Sequence, residues 1–216
     1  MHPVRYAYDM PPTTEGRPTL RDRKRTRTRR ALVAAAVELF ETRGYDETTI
    51  ADITTAAEIG TRTFFSYFAS KEELLFPESD DRVRATVDAI ATRTPGERPA
   101  DVLLRALSDV GAASDDMVGQ LGALRMRLFQ TVPAVRGRAL QIQLNAQREI
   151  ARQLHTAYPE ELDEAGAAAL VGAFVGAITG ALQVLLEDPA ATVREPAKLR
   201  EALRRATDVA LAPWTR

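Results

Sequence analysis

Residues 48–71, TTIADITTAAEIGTRTFFSYFASK, constrain this chain more than any other stretch. Two short helical patterns meet there across a tight break. Ile50 and Ile53, extended by Ala57, give the first pattern one apolar face. Glu58, Ile59 and Gly60 form the break. The second pattern, 61–68, spaces Phe64, Phe65 and Phe68 as a helix does and sets Arg62, Thr63, Ser66 and Tyr67 around them. Two helices joined by a short turn containing Gly make a helix-turn-helix. In that motif the second helix enters the DNA major groove. Phe64 and Phe68 are expected in the core beneath it.

Particular residues sharpen this reading. They are Thr49-Ile50-Ala51-Asp52-Ile53, Ala57, Ile59, Thr63-Phe64-Phe65, Tyr67-Phe68 and Ser70-Lys71-Glu72-Glu73-Leu74, with Ala36, Leu39, Phe40, Gly44 and Tyr45 upstream. Over about fifty residues this pattern resembles the TetR family of bacterial transcriptional regulators. Three positions depart from it: Glu58 stands where the family often has Gly, Gly60 where it often has Ser, and Phe65 where Tyr is frequent. At Phe65 a hydroxyl that usually reaches a phosphate is therefore absent. Gly60 can still act as an N-cap.

The resemblance, with side-chain chemistry, implies DNA-contacting roles. Thr61, Arg62 and Ser66 would face base edges, and a bidentate pair between Arg62 and guanine is worth ~1–3 kcal/mol of discrimination. Thr49, Thr63, Tyr67 and Lys71 would touch phosphates, which set register and not sequence.

The net charge of −1 conceals an asymmetry. Residues 17–30 hold eight basic residues against Asp22 alone, a local charge of +7. Such a block is either a solvated helix start or, beside a helix-turn-helix, an arm that follows phosphates or enters a minor groove. On the second reading Arg25, Arg27 and Arg29 are candidate DNA contacts. The chain has no cysteine, which excludes disulfides and thiolate metal sites. No charged-then-apolar leader opens it, so a cytoplasmic location is expected.

Residues 1–18 are polar and proline-bearing, and read as a flexible arm. The first helix is expected at 22–43, with Leu32, Ala36, Leu39 and Phe40 inward and Gly44 as its stop. Ser70 and Glu73 match a capping box opening a fourth helix, with Pro77 bending it near its start. A turn at 94–99 breaks the chain. Helices are then expected at 99–113, from Asp115 or Asp116 through Leu128, at 134–158, at 160–187 and at 196–211. The apolar face of the 134–158 helix reads as Leu140, Leu144, Ala151 and Leu154, beside a polar stripe of Gln141, Asn145, Arg148 and Arg152.

Residues 165–186 carry no charge and are long enough to span a bilayer. Acidic flanks and a mostly Ala and Gly composition favour a buried helix over a membrane span. Gly172, Gly176 and Gly180 recur every fourth residue. Each costs ~1 kcal/mol of helix propensity relative to Ala, and small residues let two backbones approach closely. With Leu199 and Leu203 on the last helix they are the candidate homodimer contacts, as in the family.

No catalytic constellation appears, so an enzyme is not expected. The two histidines, His2 and His155, stand apart, and no metal site or cofactor is implied. The fold expected is all-α, about nine helices. An arm (1–20) and a three-helix DNA-binding domain (21–76) precede a helical effector-binding and dimerisation domain (77–216). The function expected is ligand-responsive transcriptional regulation, most simply repression from a palindromic operator. Candidate lining residues for a small apolar effector are Met117, Leu121, Leu124, Phe129 and Phe174, with Arg125 or Arg148 for an acidic head group. Two other classes stay open: a helical carrier or enzyme containing a similar hairpin, and a nonspecific DNA-binding protein.

Overall fold

A computed structural model of the chain describes residues 19–113, 120–185 and 196–214. Among the described residues there are nine α-helices and no strand. They are α1 (Leu20–Thr42), α2 (Ile50–Ala56), α3 (Thr61–Phe64), α4 (Ser79–Ala91), α5 (Pro99–Ala113), α6 (Gln120–Thr131), α7 (Pro133–Ala157), α8 (Glu164–Leu185) and α9 (Pro196–Leu211). A 3-10 turn at Glu72–Leu75 precedes α4. The arm at 1–18, Met117 and the expected start of α6 lie outside the described residues.

The first two helices start on the same device. Thr19 accepts from the Asp22 amide at 3.2 Å, and the Asp22 carboxylate accepts from the Thr19 amide at 3.0 Å. Thr49 and Asp52 repeat this capping box at α2. Each satisfies two orphan amides. Gly44, at φ +96°, lets the chain leave α1 through the left-handed region.

The capping box expected at Ser70 is not formed. Glu73 Oε2 accepts from the Ala69 amide instead, at 2.7 Å, and no side chain caps the 3-10 turn. Pro77 does not bend a continuous helix; it ends one. A residue before proline is pushed out of the α region, and Phe76 sits at φ −129°, ψ 47°. The helix therefore restarts two residues beyond Pro77, at Ser79.

Two large cores organise the rest. The first joins Leu32, Ala36, Phe40, Ile53, Phe64 and Phe68 to Leu74, Leu75, Leu121, Leu124, Leu128 and Val135. It thus draws α6 and the start of α7 against the helix-turn-helix. The second joins Ile90, Leu103, Ile150, Leu154, Leu170, Phe174 and Leu211. α7 runs through both. Its inward residues are Val135, Ile150 and Leu154, with Ala139 and Ile142 packed alongside. Leu140 and Leu144, expected inward, are 47% and 53% exposed. Two apolar stripes coexist on α7 and meet at Leu154; the one that begins at Val135 is buried against the two cores.

Candidate nucleic-acid interface

The turn between α2 and α3 closes as a Schellman motif. The Ile59 amide donates to the Thr54 carbonyl at 2.9 Å and the Glu58 amide to that of Thr55 at 3.1 Å. Glu58 takes the left-handed position at φ +55°. That conformation costs a non-Gly residue roughly 1–2 kcal/mol, which gives the departure from Gly a physical meaning. Gly60 then caps α3, its carbonyl accepting from Thr63 at 2.8 Å and Phe64 at 3.2 Å. The α-helix proper ends at Phe64, shorter than the expected 61–68, and the coil continues through Phe68 N to Phe64 O at 3.0 Å.

The aromatic rings divide by face. Phe64 is fully buried and Phe68 nearly so. Thr61, Arg62, Thr63, Ser66 and Phe65 are exposed, and Tyr67 is half-buried. Thr61 and Phe65 are four apart, as are Arg62 and Ser66, so these four share one side of the coil. The Thr61 and Thr54 hydroxyls lie 3.3 Å apart, tying α3 to α2. Arg25 and Arg27 on α1 are exposed, and the Arg25 guanidinium sits 5.8 Å from the Tyr67 ring centroid. The Arg25 cation therefore lies beside the coil that follows α3.

Three candidate DNA contacts turn out to brace the region. Arg29 is half-buried; it donates to the Tyr67 carbonyl at 3.1 Å and the Pro77 carbonyl at 2.6 Å, with its guanidinium 4.4 Å from the Phe68 ring centroid. It grips both ends of the segment leaving α3. Lys71 donates to the carbonyls of Tyr45 and Thr48 at 2.8 and 3.0 Å and lies over the Tyr45 ring. These carbonyls between α1 and α2 have no helical partner, and the ammonium satisfies them. The Thr49 hydroxyl is taken up by capping α2. Tyr45 donates to Glu72 at 2.5 Å, and burial followed by the Glu72 carboxylate pushes its hydroxyl well above the ordinary tyrosine range. It is a permanent donor.

Two further arginines reach this segment from the other helices. Arg125 of α6 donates to the Leu75 carbonyl at 3.2 Å, and Arg138 of α7 pairs with Glu73. Arg125 is thereby placed at the joint between the helix-turn-helix and the remaining helices.

The described candidate effector residues are divided between the two cores and the surface. Leu121 and Leu124 are buried in the first core and Phe174 in the second. Phe129 is half-buried under Arg136, and Arg148 is exposed. A surface groove of about 420 Å³ lies elsewhere, between the α4–α5 and α7–α8 turns, lined by Arg93, Glu97, Tyr158 and Glu161 among others. Hydrogen bonds from Arg105 and the Thr94 amide hold the Glu97 carboxyl at about 2, far below its ordinary value.

Of the candidate dimer contacts, Leu199 and Leu203 are buried within the chain against Ile178, Ala181 and Leu182. They seat α9 on α8. The glycines are different: a Cβ added at Gly172, Gly176 or Gly180 would meet no atom within 4 Å. Val184 and Val209 are 67% and 79% exposed. Residues Glu164–Val184 are long and apolar enough to cross a membrane, with 22% of the span buried.

The fold and this interface define an all-α helix-turn-helix protein. Residues 32–76 match the family model of bacterial regulatory proteins, tetR family. The chain is 38% identical over 133 residues to the HTH-type transcriptional regulator TcmR of Streptomyces glaucescens, a match covering 60% of this chain and 59% of the relative. The match thus spans about three fifths of that relative's length. Among solved structures, the Thermus thermophilus TetR-family repressor FadR, in complex with lauroyl-CoA, shares the fold at TM-score 0.54 and 20% identity, covering 85% of this chain and 93% of that one. A TetR-family regulator from Syntrophomonas wolfei does so at TM-score 0.58 and 17% identity, covering 86% and 96%.

Proposed function

We propose that this protein is a DNA-binding transcriptional regulator, a repressor that leaves a near-palindromic operator when a small apolar effector binds. The observation that carries the reading is the face of α3: Thr61, Arg62 and Ser66 point to solvent over a sealed core, with the Arg25 guanidinium beside Tyr67. Thr61, Arg62 and Ser66 read base edges. Arg25, Arg27, Thr63 and Tyr67 hold phosphates. Arg29 and Lys71 keep the reading segment in place. Residues 21–76 form the reading domain, and 77–216 bind effector and dimerise.

A second copy packs on α8. The open glycine ridge and the exposed Val184 and Val209 support this, because they leave an apolar surface that a like surface can cover. Two reading heads then dock in successive major grooves. An acyl-type effector is supported by the lauroyl-CoA complex of the Thermus repressor of the same fold. It shifts the equilibrium only by binding the low-affinity conformation more tightly.

Selection of bound duplexes from a randomised pool tests this. A palindromic motif is expected, and Arg62→Ala should relax one position in each half-site by ~1–3 kcal/mol. Binding that falls steeply with salt yet selects no motif would overturn the reading.

A further inference from the structure

Phe65 stands out once the core is accounted for. Of the seven phenylalanines it alone is exposed, at 57%. It shares a side of the α3 coil with Thr61, Arg62 and Ser66. Its ring is also held: it meets the buried Phe64 ring edge-on, at 5.3 Å between centroids and 87° between planes. That edge-to-face contact favours one orientation of the exposed ring before any partner arrives. It carries no hydroxyl, so it can neither donate to a phosphate nor read a polar base edge. In the major groove the one apolar group on a base edge is the thymine 5-methyl, and Phe is among the side chains that pack on it.

We propose that Phe65 is a specificity residue that reads a thymine methyl in each half-site. This rests on the DNA-reading function above. The ring covers the methyl while Arg62 and Ser66 hydrogen-bond to neighbouring edges. A cytosine or a uracil at that position leaves the ring against a bare edge, whereas Phe65→Tyr would force a hydroxyl to find a partner there.

The test uses the full-length protein and the duplex selected from a randomised pool. Each thymine is replaced in turn by uracil, which removes only the methyl, and affinity is read by fluorescence anisotropy at fixed salt. Wild type should lose about fourfold at one position per half-site, the worth of one buried methyl. Phe65→Ala should bind thymine and uracil equally there, and Phe65→Leu should keep part of the preference. Phe65 is exposed, and a thermal melt of each variant checks that it folds. If wild type selects a motif but no uracil substitution separates it from Phe65→Ala, this inference fails while DNA reading stands. If wild type selects no motif, both fail.

Discussion

The α3 tip and the outer side of α8 are both exposed, and they are exposed in opposite ways. At α3 the apolar residues Phe64 and Phe68 are turned inward, and hydroxyls and a guanidinium are left outside. At α8 only part of a strongly apolar helix is buried, through Ala167, Leu170, Val171 and Phe174, and a glycine ridge with Val184 is left outside. The first surface is stable alone and suits a charged, hydrated partner. The second gains by meeting a surface like itself. On the proposed function, one chain carries two recognition surfaces whose driving forces differ: counterion release and hydrogen bonding at one end, apolar burial at the other.

The comparison breaks most visibly at the first core. Phe64→Ala should cost about 3–5 kcal/mol in chemical denaturation, since it empties a fully buried ring site. DNA binding should be lost with it, and association through α8 should persist in any folded fraction. A variant that melts like wild type would contradict the sealed-core description.

Next comes the brace at Arg29. Lysine cannot span the two carbonyls that the guanidinium fork bridges. Arg29→Lys should lose roughly 1.5–3 kcal/mol of stability, the range for hydrogen bonds from a charged donor. It should weaken DNA binding without changing the salt slope. Arg25→Ala should do the reverse, leaving the melt unchanged and lowering the slope by about 1. Equal slopes for both variants would make Arg25 structural too.

Gly176→Ala separates two meanings of the glycine ridge. Within one chain the added methyl meets nothing, so monomer stability should rise by about 1 kcal/mol. If α8 faces a second copy at close range, sedimentation should show weaker self-association at the same time. Greater stability with unchanged association would place the interface elsewhere.

The smallest effect belongs to neither surface. Glu97 is ionised down to about 2 because Arg105 and the Thr94 amide hold its carboxylate. A folded-state value below the unfolded one stabilises at neutral pH and is lost as acid protonates the group. The stability gap between wild type and Glu97→Gln should therefore be constant above about pH 5 and close as pH falls toward about 2. DNA affinity at neutral pH should not change.

Much of this was legible in the sequence, because the signals were local. The stop at Gly44, the break at 58–60 and the inward Phe64 and Phe68 follow from spacing and turn chemistry. So do the bounds of α5 and α9. What sequence spacing does not carry is partner choice over distance. Arg29 is an arginine in a basic block until folding puts the Tyr67 and Pro77 carbonyls beside it. Lys71 is likewise committed by carbonyls more than twenty residues away. Leu199 and Leu203 read as surplus apolar surface because the matching patch on α8 is visible only in three dimensions. Phe65 stands out in the sequence only for the hydroxyl it lacks; that its ring faces solvent while Phe64 and Phe68 are buried is visible only in the fold.

The shortness of α3 has a consequence for how such a protein changes over time. Its inward side chains hold the fold, and its outward ones hold almost nothing of it. If these residues read DNA as proposed, substitutions at Arg62, Phe65 or Ser66 can accumulate with little penalty to folding while each redirects the protein to a different stretch of genome. The architecture keeps what must be preserved and what is free to drift on opposite sides of a single coil.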